Sequence, residues 1–172
     1  GAEGKVIAYY MPTTKELVGW QSPTLKSTLM HEGLHQFIDF YVDNCPSWFN
    51  EGFASYFETS TADQIKFNPE RHANCRSAMA RKILPTLRDL LLMTRYQWNA
   101  SRYTVYYYGM SWSFIYWLIK QGKRELIDKY FEELMKGRTQ KQAFDSVFGP
   151  GKVNLAELEA KWKLALFNNK YD

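Results

Sequence analysis

Residues 31–35 read His-Glu-Gly-Leu-His. On an α-helix, positions four apart share a face, so His31 and His35 can hold one metal ion between them. Glu32 then sits beside the ion, placed to act as a base on a bound water. The pair uses two of the three histidines in the chain. Hydrolytic zinc needs a third protein ligand and keeps one position open for water. The third histidine, His72, lies in the polar stretch Glu-Arg-His-Ala-Asn-Cys and reads as a surface residue. Glu51, in Trp48-Phe49-Asn50-Glu51-Gly52-Phe53, is the better candidate. On a helix Phe49, Phe53, Tyr56 and Phe57 share one face, and Glu51 falls on the other with Ala54, Ser55 and Glu58. A glutamate opposite an aromatic stripe is usually solvated, but Ala54 and Ser55 are small enough to let another helix approach on that side. The competing reading is two core histidines satisfied by backbone carbonyls, with no metal.

The elements around these residues must hold them together. Ser22-Pro23 is an N-cap followed by a proline at the first helical position, which predicts a helix over 23–42. Leu25, Leu29, Met30, Leu34, Phe37, Ile38, Phe40 and Tyr41 cover most of its circumference, so this helix is expected to be buried. Two imidazoles and a carboxylate on a buried helix need partners, and a metal ion supplies one. Cys45-Pro46-Ser47 stops the chain and restarts it, with Ser47 capping a second helix to about Thr59. The short 43–47 turn brings that helix back beside the first. Before them, residues 5–20 carry the one convincing β signal: Val6, Ile7, Tyr9 and Tyr10, a turn at Pro12-Thr13-Thr14, and a return through 17–20. After them come predicted helices from Asn68-Pro69 to about Ile83, from Pro85-Thr86 to Met93, then over 103–120, 123–136, 139–148 and 155–168, with 94–102 irregular. The fold class that follows is mainly α, formally α+β. A short N-terminal hairpin or edge strand precedes a helical bundle, and one domain spans residues 1–172.

Composition agrees with a globular chain: 172 residues, 45% hydrophobic, 23% charged and 17% aromatic. A net charge of +4, spread along the sequence, gives little support to nucleic-acid binding. No run of apolar residues is long enough for a membrane span. The two cysteines, Cys45 and Cys75, exclude a disulfide framework and a Cys-rich zinc site but allow one bridge. The opening Gly-Ala-Glu-Gly lacks an initiator Met and reads as the start of an excised fragment.

The pattern His-Glu-x-x-His followed by Asn-Glu-Gly-Phe-Ala resembles the gluzincin metallopeptidases of the aminopeptidase N and thermolysin types. The stretch from His31 to Glu58 is most similar to the peptidase MA-like bacterial domains, including a family of unknown function. Similarity extends to Tyr106–Leu118 and, more loosely, to the C-terminal region. The 15 residues from Gln36 to Asn50 are a shorter spacer than the aminopeptidases have. The resemblance implies a zincin-like catalytic domain holding Zn²⁺ through His31, His35 and Glu51. Glu32 would be general base and then proton donor to the leaving amine in the hydrolysis of a peptide or protein substrate. It also implies a tyrosine that stabilises the oxyanion, three residues before a helical glycine. With Gly109 as that glycine the residue is Tyr106, flanked by Tyr107 and Tyr108. Asp39 and Asn50 are candidates to accept the second N–H of the ligand imidazoles. The 5–11 strand would pair with an extended peptide. The aminopeptidase motif Gly-x-Met-Glu-Asn is not matched by Gly1-Ala2-Glu3-Gly4, which favours an endopeptidase. The family and a Cys45–Cys75 bridge would together place the protein outside the cell or in its envelope. The alternative function is a non-proteolytic zinc-binding module of the cell envelope.

Overall fold

A computed structural model describes residues 7–61 and 63–171. The first two residues of the expected strand, Lys5 and Val6, and the Gly1–Gly4 segment lie outside them. Strand β1 (Ala8–Met11) pairs antiparallel with β2 (Glu16–Gly19), with Tyr9 opposite Val18 and Tyr10 opposite Leu17. Lys15 closes the turn at φ +59°. The hairpin lies on helix α1 (Leu25–Tyr41) and is tied to it by polar bonds. Gln36 donates to the Lys15 carbonyl at 2.8 Å, and Asp39 accepts from the Tyr10 hydroxyl at 2.7 Å and from the Lys15 ammonium.

Eight further helices follow among the described residues: α2 (Ser47–Phe57), α3 (Pro69–Ala80), α4 (Leu87–Leu92), α5 (Arg95–Ala100), α6 (Thr104–Lys120), α7 (Arg124–Met135), α8 (Gln140–Val147) and α9 (Leu155–Asn168). The chain is thus mainly helical behind a two-stranded hairpin, as its pattern predicts. Asn68 caps α3 by accepting the Arg71 N–H, with Pro69 next, and Thr139 and Gln142 form a capping box on α8. Helix α6 is the centre of the molecule. Met110, Trp112, Phe114, Ile115, Trp117 and Leu118 are buried in it, and it packs between α2 and α3. Two glycines permit that closeness. A Cβ on Gly52 would sit 2.7 Å from Ile115 Cδ1, and one on Gly109 would sit 2.5 Å from the Arg71 carbonyl oxygen.

Four expectations are corrected. Helix α1 is not buried all round: only Ile38 is fully covered, while Phe37 and Phe40 are 54% and 80% exposed. The hairpin, α2 and single side chains of α6 and α7 cover part of its circumference, and Phe37 and Phe40 stand on the part left open. The irregular 94–102 stretch contains α5, started by a Thr94–Gln97 capping box. His72 is not a surface residue but is buried at 9% exposure, its Nδ1 2.9 Å from the Tyr171 hydroxyl. Cys45 and Cys75 are separate, buried free thiols rather than a bridge, and burial pushes both up, Cys75 to about 12.

Candidate metal centre

Helix α1 presents His31 and His35 on one face, their rings 4.7 Å apart and nearly perpendicular. Helix α2 returns alongside, as the short turn requires, and brings Glu51 opposite them. Glu51 Oε2 lies 3.4 Å from His31 Nε2 and 3.5 Å from His35 Nε2. One donor atom from each of the three residues falls within 4.8 Å of the others. Glu51 Oε2 is also buried without a hydrogen-bond partner. A buried charged oxygen without a donor is costly, and a divalent cation among the three atoms would satisfy it. The group could therefore hold a metal ion.

The other ring nitrogens are already engaged. His31 Nδ1 donates to Glu58 Oε1 at 2.8 Å, and His35 Nδ1 donates to Asn50 Oδ1 at 3.0 Å. This leaves both Nε2 atoms turned toward Glu51, the orientation metal-ligating imidazoles adopt. Asn50 is thus one of the two acceptors read from the sequence. Asp39 is not the other; it serves the hairpin. Glu58 takes that place, and sequence reasoning gave it no such part. Its carboxylate also accepts from Arg71 Nη2 at 2.5 Å, Arg71 Nε at 3.1 Å and Asn68 Nδ2 at 2.9 Å. Helix α3 therefore anchors the residue that orients His31. A signal was present: Glu58 follows Glu51 by seven residues, two helical turns along the same face.

These contacts set the charges. Burial works against ionised Glu51, but His31 and His35 outweigh it and hold its carboxyl at about 2. Burial likewise opposes the His31 cation, but Glu51 and Glu58 outweigh it and raise the imidazole to about 9. Without metal, the cluster is a protonated His31 between two carboxylates.

Glu32 lies in a pocket of about 670 Å³ on the His31 side, together with Tyr108. Its Oε2 accepts the Tyr10 backbone N–H at 2.9 Å. Tyr10 faces Leu17 in a pair whose N–H and C=O groups point away from β2, so the outer edge of β1 meets Glu32. Of the three adjacent tyrosines, the structure brings Tyr108 to the cluster, its ring 6.4 Å from that of His31 and under the Arg71 guanidinium. Burial and then the charge of Glu51 push the Tyr108 hydroxyl up, so it remains a proton donor. Tyr106 is not brought there; it packs beside Tyr103 and the Arg81 guanidinium. Tyr107 turns into the core against Trp98.

Residues 26–138 match the family described as "Protein of unknown function (DUF1570)". The chain belongs to this family. The matched span of this DUF1570 protein includes His31, Glu32, His35, Glu51, Glu58, Arg71 and Tyr108, and leaves out the hairpin and helices α8 and α9. No curated protein and no solved structure matches it.

Proposed function

We propose that this protein is a zinc-dependent peptidase, an endopeptidase rather than an aminopeptidase. The observation that carries the reading is the convergence of two imidazole Nε2 atoms on a buried, unpartnered carboxylate oxygen, with Glu32 and Tyr108 in the adjoining pocket. His31, His35 and Glu51 would hold the ion, and a nitrogen–nitrogen–oxygen set with an open side suits catalytic zinc. When bound, zinc supplies Lewis-acid chemistry, making a water acidic enough to attack and polarising a carbonyl. Glu32 takes the proton from the attacking water and passes it to the leaving amine. The Tyr10 N–H steadies that carboxylate against β1. Tyr108 donates its hydroxyl proton in a hydrogen bond to the developing oxyanion, while Arg71, held by Glu58, keeps its ring in place. Glu58 and Asn50 fix the two imidazoles. Pockets open on both sides of the cluster, which supports cleavage within a chain rather than at its end.

The test is cleavage of an unstructured protein such as casein by the zinc-loaded chain. Activity should vanish on chelation and return with zinc. Glu32→Gln should retain zinc and lose at least about 10²-fold in rate. A fully zinc-loaded protein that cleaves nothing would leave the non-proteolytic zinc module as the better reading.

A further inference from the structure

We propose that Arg95 makes the pocket beside His35 a receptor for a carboxylate on the substrate. This rests on the peptidase reading and gives it a substrate class: peptides with an acidic side chain, or a free C-terminal carboxylate, close to the cleaved bond. The pocket encloses about 280 Å³ and is walled by His35, Glu51, Asn50, Asn44, Tyr10 and Arg95, so two of the metal-site residues form its side. A substrate carbonyl at the cluster would place its neighbouring residue there.

Arg95 is the first residue of α5 and is exposed. Its Nη2 makes a long 3.4 Å bond to the Cys45 carbonyl, and among the described residues no carboxylate lies within ion-pair distance of it. A guanidinium presents five donors in a planar fork that matches a carboxylate, and most of this fork is unused. Asp39, the other charged residue of the pocket wall outside the metal cluster, is already bound by Lys15 and the Tyr10 hydroxyl.

The opposite pocket is the more acidic. On the His31 side stand Glu32, Glu58 and Glu70, and Arg71 there is held by Glu58. On the other side the carboxylate of the wall outside the metal cluster, Asp39, is bound by Lys15, which leaves Arg95 to attract an anionic group.

The test starts from a cleavage site mapped in casein and made as a short peptide. Glu and Gln are exchanged at each position flanking the cleaved bond, with the C-terminus free or amidated. The zinc-loaded wild type should favour the acid at one position by about 10- to 100-fold in kcat/KM, the worth of a hydrogen bond to a charged group. Arg95→Gln should abolish that preference and Arg95→Lys should keep part of it, with zinc content unchanged in both. The Thr94–Gln97 capping box holds α5 without the Arg95 side chain, so both variants should fold. A gain that follows the free C-terminus instead of Glu identifies the chain end as the source of the carboxylate. Equal rates for acid and amide at every position, or a preference that survives Arg95→Gln, overturns the proposal. If the wild type cleaves nothing, the peptidase reading fails. An acidic casein peptide and its amide counterpart, titrated against the zinc-loaded protein by calorimetry, then decide the matter for Arg95. Tighter binding of the acid, lost in Arg95→Gln, sustains the receptor; equal affinity or no binding overturns it.

Discussion

The molecule contains two polar clusters built around histidine, and they are assembled to opposite ends. Around His72 the network closes on itself. Its Nδ1 meets the Tyr171 hydroxyl, that hydroxyl meets Ser113 Oγ at 3.1 Å, and Ser113 accepts from Trp162 Nε1 at 3.0 Å. The bonds join α3, α6, α9 and the segment after α9. Around His31 and His35 the Nδ1 atoms are closed off in the same way, but the Nε2 atoms converge on an oxygen of Glu51 that no donor satisfies. The other unpartnered buried side-chain atoms among the described residues are neutral hydroxyls and an indole N–H; this one belongs to a carboxylate. The electrostatics diverge accordingly. Burial, helped by Arg76, lowers His72 below its ordinary value, which keeps it neutral in a structural network. At His31 burial pulls the same way, yet Glu51 and Glu58 reverse the outcome. A closed network holds a core together, whereas convergent unsatisfied lone pairs make room for a cation.

The contrast can be broken at several points. The largest effect is expected at Tyr108. Removing its hydroxyl with Tyr108→Phe should lower kcat and kcat/KM together by about 10²–10³-fold with KM near wild type, the signature of a lost transition-state donor. Tyr106→Phe and Tyr107→Phe should leave kcat near wild type. Steady-state kinetics of the three variants, with zinc content checked in each, decides the register.

Next is Glu58→Gln. A carboxylate that orients a ligand imidazole is worth about 10–100-fold in metal affinity, so zinc binding should weaken by that factor in the folded variant. Competition against a chromophoric chelator measures it.

The mirror image is His72→Ala, which should cost about 1–3 kcal/mol of stability by removing one of the two partners of the buried Tyr171 hydroxyl, and leave zinc affinity unchanged. Thermal melts and the same chelator competition separate the two effects. A loss of zinc on changing His72 would erase the distinction between the clusters.

The smallest effect is on pH dependence. In chelator-treated protein, His31 is raised from 6.5 to about 9, so its contribution to stability is complete below pH 6.5 and is lost as pH rises through about 9. Glu51 is lowered from 4.5 to about 2, so its contribution is present above pH 4.5 and lost as pH falls through about 2. Metal-free protein should therefore melt highest between about pH 4.5 and 6.5. Zinc bound at His31 would displace its proton, so zinc affinity should climb from pH 6.5 to 9. A flat stability profile over pH 6.5–9 in the metal-free protein would remove His31 from the cluster's charge balance.

Much of this was legible in the sequence because it rests on local geometry. Two histidines four apart must share a helical face wherever the helix sits, and a short turn must return α2 beside α1. The hairpin, most of the helices and the Asn68 and Thr139 starts follow from local patterns in the same way. What escaped depends on contacts between distant elements. The choice among Tyr106, Tyr107 and Tyr108 is set by the rotation of α6 about its axis. That rotation is fixed by close packing at Gly52 and Gly109, against Ile115 on one side and Arg71 on the other. Glu58 gains its role because α3 delivers Arg71 and Asn68 to it. His72 looks polar in its own neighbourhood and is buried by Tyr171, which lies 99 residues away. The exposure of Phe37 and Phe40 could not be read from a helix that is apolar on most sides, because periodicity does not say which sides other elements cover. Helix α5, at six residues, leaves no periodic trace, and Thr94 and Gln97 are the local signal of its start.

The most direct test of the metal centre is metal content by elemental analysis after zinc loading and desalting, on wild type and on the His31→Ala/His35→Ala double variant. Zinc K-edge absorption of the loaded wild type reports the ligands. Zinc held by His31, His35 and Glu51 predicts one zinc per chain, with two imidazoles and a carboxylate in the spectrum, and essentially none in the double variant. Full zinc occupancy in the double variant, or a spectrum without imidazole, would contradict it.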